Sequence, residues 1–127
     1  MKILLDTHIV LWVATNSNKL TPKIRELISD RRNFKYVSIA SVWEVAIKLG
    51  KEGFVVKDGV DGIFKIAWQN DFRITPIHAQ HLRIVPELPR HHGDPFDRLL
   101  IATAKAEGMT IVTADENIHK YNVNWIW

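Results

Sequence analysis

The sequence contains no cysteine. That excludes thiol nucleophiles, thiolate zinc sites, iron–sulfur clusters and disulfides, and it fits a reducing compartment. No apolar run approaches the ~20 residues that a membrane-spanning helix needs. The apolar start is short and ends in the charge of Asp6, so no cleaved leader is expected and a cytoplasmic location is. Glycine-rich phosphate loops are absent. None of the six histidines shows the i, i+4 pairing with a glutamate of a zinc hydrolase helix. Thr7, Ser38, Ser41 and Thr113 have no Ser-His-Asp context, so a triad hydrolase is excluded.

What is present is ordinary for a soluble globular chain. There are 127 residues, 46% hydrophobic and 24% charged. The length fits one domain spanning 1–127, large enough to bury its own core without a disulfide or structural metal. Seventeen basic residues face 14 acidic ones, for a net charge of +3, and the excess lies in the first half. Such a charge permits nucleic acid contact without demonstrating it. The cluster Lys19, Lys23, Arg25, Arg31, Arg32 and Lys35 reads first as the solvated face of an amphipathic helix.

Strands and helices alternate along the chain. Residues 2–5 read as a buried strand, followed by an apolar helical turn over 9–13. Thr21-Pro22 is a helix start, a capping hydroxyl with proline at the first helical position. Residues 36–38 form a second strand, and a helix over about 41–49 ends at Gly50. Helical character returns over about 60–70, a strand over 73–75, and a short amphipathic segment over 78–85. After a loop carrying Pro86, Pro89 and Gly93, Asp94-Pro95 opens a strong helix closed by Gly108. Residues 110–113 make a β-branched strand, and 123–127 an edge strand. This alternation predicts an α/β fold with a parallel central sheet and helices on both faces. Trp12 and Trp43, in apolar helical settings, are expected in the core or at a dimer contact.

Ligands in such sheets bind beyond the carboxyl ends of the strands. Asp6 closes the first strand, Asp115 follows the late one, Asp97 lies in the first turn of the helix between them, and Glu44 lies in the helix after the second strand. Four carboxylates from four segments can therefore meet at one edge. Two such charges ~5 Å apart repel by about 3 kcal/mol at an effective dielectric near 20. Protonation or a cation must offset that, and all-oxygen donors favour Mg²⁺ or Mn²⁺ over zinc. The matching chemistry is water attack on a phosphodiester. Each acid also has a plainer role. Glu44 can close a capping box with Ser41 or pair with Lys48, Asp97 can favour the helix dipole, and Asp115 can serve a turn. Asp94 fits as a helix cap. Asp6 is the hardest to explain structurally, because a carboxylate directly after a buried strand is costly unless paired or used. Arg90 and Arg98 flank the acidic loop and are placed to steer phosphate. His91-His92 reads as a solvated loop pair.

Leu4-Leu5-Asp6-Thr7-His8, Trp43-Glu44-Val45-Ala46-Ile47-Lys48, His91-His92-Gly93-Asp94-Pro95-Phe96-Asp97-Arg98-Leu99-Leu100 and Val112-Thr113-Ala114-Asp115 together resemble the PIN domain, most closely the VapC-like toxins of toxin–antitoxin modules. The ordered set covers essentially the whole chain. The resemblance implies a three-layer α/β/α sandwich. It implies an Mg²⁺- or Mn²⁺-dependent endoribonuclease acting on RNA, a homodimer, and a VapB-like antitoxin that fills the acidic groove. By motif position, Asp6, Glu44 and Asp97 match the three core acids, Asp115 the more variable fourth, and Thr113 a hydroxyl near the metal. Asp94 belongs to a longer loop motif of one subgroup.

Two other readings compete. A receiver-like signalling domain needs an acidic pair at the first strand and a late lysine, whereas the first strand offers only Asp6 and no lysine follows Thr113 before Lys120. A non-catalytic binding module with the same fold is the other, against which the intact set of acids stands.

Overall fold

Ile3, Leu4 and Leu5 are fully buried, and they alternate between two separate cores. That alternation places β1 (Lys2–Leu5) in the middle of a sheet covered on both sides, in a computed structural model that describes residues 1–127. Ile3 and Leu5 join Ile9, Val10, Ile24, Val37, Val45 and Ile63 on one face, while Leu4 joins Leu100, Ile101, Ile111, Ile118 and Tyr121 on the other.

The elements follow in the order β1, α1 (Thr7–Ala14), α2 (Pro22–Ser29), β2 (Phe34–Ser38), α3 (Ile39–Lys48), α4 (Gly59–Gln69), β3 (Phe72–Thr75), α5 (Ala79–Ile84), a 3₁₀ turn (Val85–Glu87), α6 (Pro95–Glu107), β4 (Thr110–Val112), α7 (Glu116–His119) and β5 (Trp125–Ile126). All strand pairings are parallel, and the sheet order is β3-β2-β1-β4-β5. The chain builds outward from β1 on one side and then crosses to the other. The connection order therefore reverses between β1 and β4, which opens a crevice at their carboxyl ends. This is the α/β fold with a parallel central sheet that the alternation predicts.

Local chemistry sets the helix ends. Thr21 accepts from the Ile24 N–H with Pro22 at the first helical position, and Asp94 accepts from the Asp97 N–H with Pro95 after it. Gly108 ends α6 at φ +66, a conformation that glycine enters without a Cβ penalty.

Several details depart from the sequence reading. Helix α3 starts at Ile39, and Ser38, the last residue of β2, caps it by accepting from the Ala40 N–H. The strand thus runs into the helix with no loop, and Ser41 lies inside it rather than capping Glu44. The one-turn helix α7 is unexpected, because four residues carry too little periodicity to read. β5 covers only Trp125–Ile126. Of the two places expected for Trp43, the core is excluded: it is 59% exposed and meets Phe96 edge-on at 5.2 Å. Lys35 is buried with its ammonium on the Ile28 carbonyl, because its position on β2 turns inward under α2.

Candidate functional site

Asp6 lies at the mouth of the crevice. Its backbone N–H continues the sheet by donating to the Val112 carbonyl at 3.2 Å. Its carboxylate caps α1 by accepting from the Ile9 N–H at 2.9 Å, and it accepts the hydroxyl proton of Thr113. Thr113 follows β4, so this bond joins the ends of the two central strands. The Thr113 hydroxyl oxygen in turn accepts from the Asp115 N–H at 3.0 Å, which draws Asp115 to the same edge.

Asp6 is buried and forms no ion pair. Burial pushes its carboxyl pKa up, the bonds from Thr113 and Ile9 and the charge of His8 pull it down, and the charge of Asp115 adds to the rise. Asp97, in the first turn of α6, is pushed up to about 6. Burial is the main cause, opposed by the His92 hydrogen bond, with the charges of Asp94 and Asp115 raising it further. Asp115 therefore acts electrostatically on both Asp6 and Asp97. The structure brings these three acids, from the ends of β1 and β4 and the start of α6, into one field.

Glu44 takes a different place. It is buried on α3, where Oε1 accepts from the Thr7 hydroxyl at 2.6 Å and Oε2 pairs with Lys48 at 2.9 Å. Thr7 is the neighbour of Asp6, so Glu44 is tied to the strand end, but both of its oxygens are engaged. Asp94 is exposed and caps α6, accepting from Asp97. Asp115 likewise caps α7 by accepting from the Asn117 N–H at 2.8 Å.

The two arginines part company. Arg90 is exposed beside the loop. Arg98, expected to steer phosphate alongside it, is 4% exposed. Its guanidinium donates to the carbonyls of Pro89, Val85 and Leu88 and to the Tyr121 hydroxyl. Those carbonyls open the 3₁₀ turn at Val85 and lead out of it at Leu88 and Pro89, and a buried cation with several donors satisfies them together.

Sequence reasoning missed His92. His91 is exposed as expected, but His92 is half-buried, with Nε2 3.0 Å from Asp97 Oδ2 and Nδ1 2.8 Å from the Tyr121 hydroxyl. The loop before α6 folds its last histidine back over the first helical turn. The spacing of five residues to Asp97 is a weak signal for this. Tyr121 arrives from 29 positions away and carries none.

No three His, Asp or Glu side chains close on a point that could grip a metal ion as they stand. The donor set nonetheless fits a hard dication: it is all oxygen, three carboxylates share one field, and the buried Asp6 forms no ion pair. Asp6, Asp97 and Asp115 are the residues that could hold one.

The sequence matches the PIN domain family over residues 3–124, and the chain belongs to that family. Its fold is also similar to solved structures at low sequence identity. VapBC2 from Rickettsia felis, bound to a DNA fragment from its promoter, matches at TM-score 0.76 and 18% identity, over 99% of this chain and 98% of that one. VapBC-1 from nontypeable Haemophilus influenzae matches at TM-score 0.67 and 16% identity, over 99% and 97%. VapC20 from Mycobacterium tuberculosis, a toxin that cleaves the sarcin-ricin loop, matches at TM-score 0.56 and 15% identity, over 94% and 95%. The curated proteins contain no match to the sequence. No helix is long and apolar enough to cross a membrane.

Proposed function

We propose that this chain is the toxin of a toxin–antitoxin pair, an endoribonuclease that hydrolyses RNA phosphodiester bonds with the help of Mg²⁺ or Mn²⁺. The observation that carries the reading is Asp6. A PIN-domain chain spends its central strand end on a buried carboxylate with no ion pair, and sets Asp115 beside it and Asp97 within the same field. Leaving such charges uncompensated is costly, and a divalent cation offsets them.

In this reading Asp6, Asp97 and Asp115 would hold the cation. When bound, the cation makes water more acidic and offsets the negative charge that builds on the phosphate. Thr113 fixes the rotamer of Asp6 by donating to it. Glu44 orients the attacking water and takes its proton, using a lone pair left over by Thr7 and Lys48, since a carboxylate offers about four. The water oxygen bonds to phosphorus as the bond to the leaving oxygen breaks, with no covalent enzyme intermediate. Exposed Arg90 meets the RNA backbone.

The partners follow from the same reading: a VapB-like antitoxin and a second copy of the chain. The pairing as a homodimer is supported by Trp43 and Leu82, large apolar side chains left exposed. The compartment is the cytoplasm. A second reading, a PIN-fold binding module without cleavage, draws on the Lys48–Glu44 ion pair, which occupies the acid needed for water activation.

Inducible expression in bacterial cells separates the two. Wild type is compared with the double variant D6N/D97N, and total RNA is examined at growth arrest. Arrest with discrete RNA fragments in the wild type alone supports the nuclease. Normal growth and intact RNA with soluble wild-type protein in a host that carries the target RNA contradict it.

A further inference from the structure

The loop histidine has a defined role in the arrangement around Asp97. Arg98 Nη1 and the His92 backbone N–H both donate to the Tyr121 hydroxyl oxygen, at 3.1 and 3.3 Å. A phenol oxygen accepts about two hydrogen bonds, so its own proton remains to be given away. His92 Nδ1, at 2.8 Å, is the nearer acceptor, while the His92 carbonyl lies at 3.4 Å. Nδ1 is therefore unprotonated, and the ring proton sits on Nε2, 3.0 Å from Asp97 Oδ2. The chain of donors runs one way, from the buried guanidinium through the phenol and the imidazole to the carboxylate. Asp97 Oδ1 accepts nothing from the protein.

We infer that His92 is a positioning residue for Asp97. Arg98 and Tyr121 hold its ring with the Nε2–H toward Asp97, and that N–H fixes one oxygen of Asp97 while the other stays free for a divalent cation. This rests on the nuclease reading above and deepens it. The imidazole orients the carboxylate through a single N–H and leaves its other oxygen open. A lysine or arginine in its place would compete with the cation. Partners that orient a metal-binding group from behind typically change metal affinity by ~10–100-fold when removed.

The test uses the purified full chain as wild type, H92A, H92Q, Y121F and D97N, with circular dichroism to establish folding. Two readouts are taken. Nitrogen-15 NMR of the imidazole in cation-free protein reports the tautomer, and calorimetric titration with Mn²⁺ reports affinity. The expected result is an Nε2–H ring in wild type and a mixture of tautomers in Y121F. Mn²⁺ binding weakens ~10-fold or more in H92A and several-fold in Y121F, and the glutamine amide N–H of H92Q restores it to within ~3-fold of wild type. If H92A does not fold, H92Q and Y121F carry the comparison. A folded H92A that binds Mn²⁺ as wild type does, with binding lost in D97N, overturns the role of His92 alone. An Nδ1–H ring in wild type overturns it as well. A wild type that takes up no Mn²⁺ overturns the cation-dependent reading itself and leaves His92 as a structural strut.

Discussion

Thr113 gives its hydroxyl proton to Asp6 across 107 positions of sequence, and the bond ties the end of β4 to the end of β1. The two strands pair in parallel, Leu5 beside Val112, so the residues that follow them must come out at the same edge. The site is thus a consequence of strand register. Asp6 is aimed by a residue that the sheet, rather than the local sequence, sets beside it.

Removing that hydroxyl tests the relationship. Thr113→Val keeps the shape and strips the donor from a buried carboxylate. A hydrogen bond to a charged group contributes about 1.5–3 kcal/mol, so urea unfolding is expected to show a loss in that range at pH 7. The same change removes the bond that aims the Asp6 carboxylate, so RNA cleavage is expected to fall as well. Unchanged stability and cleavage would mean that Thr113 does not hold Asp6.

Asp97 gives the stability curve a sign. Its folded pKa is about 6 against 3.8 for the ordinary group. Between those values the native state holds the proton that the unfolded chain has released. Without a divalent cation, its contribution to stability therefore falls as pH rises from about 4 to 6. Asp97→Asn has no such proton, so the variant gains on wild type over that window. Saturating Mn²⁺ lifts only the wild type and closes the gap. The Asp30–Arg32 pair, where hydrogen bonds from Arg32 hold the Asp30 pKa at about 2, loses its effect only as pH falls from about 4 toward 2, outside that range. Thermal melts at pH 4, 5, 6 and 7 measure the difference. A constant gap between the two proteins would contradict the raised pKa.

The arginines are expected to separate cleanly. Arg98→Met removes a buried cation that satisfies three carbonyls and the Tyr121 hydroxyl, and orphaned buried acceptors cost about 1–3 kcal/mol each. The variant is expected to unfold at markedly lower urea or to be recovered insoluble. Arg90→Ala, at an exposed position, is expected to keep stability within about 0.5 kcal/mol and to weaken RNA cleavage, with the larger loss at low salt. Equal stability of the two variants would contradict the division of roles.

The sheet was readable in the sequence because its signals are local: the buried run at 2–5, the β-branched run at 110–113, Thr21-Pro22, Asp94-Pro95 and Gly108 all act within a few residues. Three of the acids were readable for the same reason, since Asp6 closes a strand, Asp97 lies in a first helical turn and Asp115 caps a helix. Less legible was what holds them. Thr113 meets Asp6, Thr7 meets Glu44 and Tyr121 meets His92 through sheet register and helix packing, at separations of 107, 37 and 29 residues. The inward turn of Lys35 and Arg98 escaped notice because charged residues read as surface by default. Helix α7 escaped it because a single turn has no period.

The most direct test of the central claim is RNA cleavage by the purified chain as a function of divalent cation. Wild type, D6N and D97N are incubated with total bacterial RNA in EDTA, Mg²⁺ or Mn²⁺, and fragments are resolved on a denaturing gel. The account predicts discrete fragments from the wild type in Mg²⁺ or Mn²⁺, none in EDTA, and none from folded D6N or D97N under any condition. Cleavage that persists in EDTA, or in a folded D6N, would contradict it.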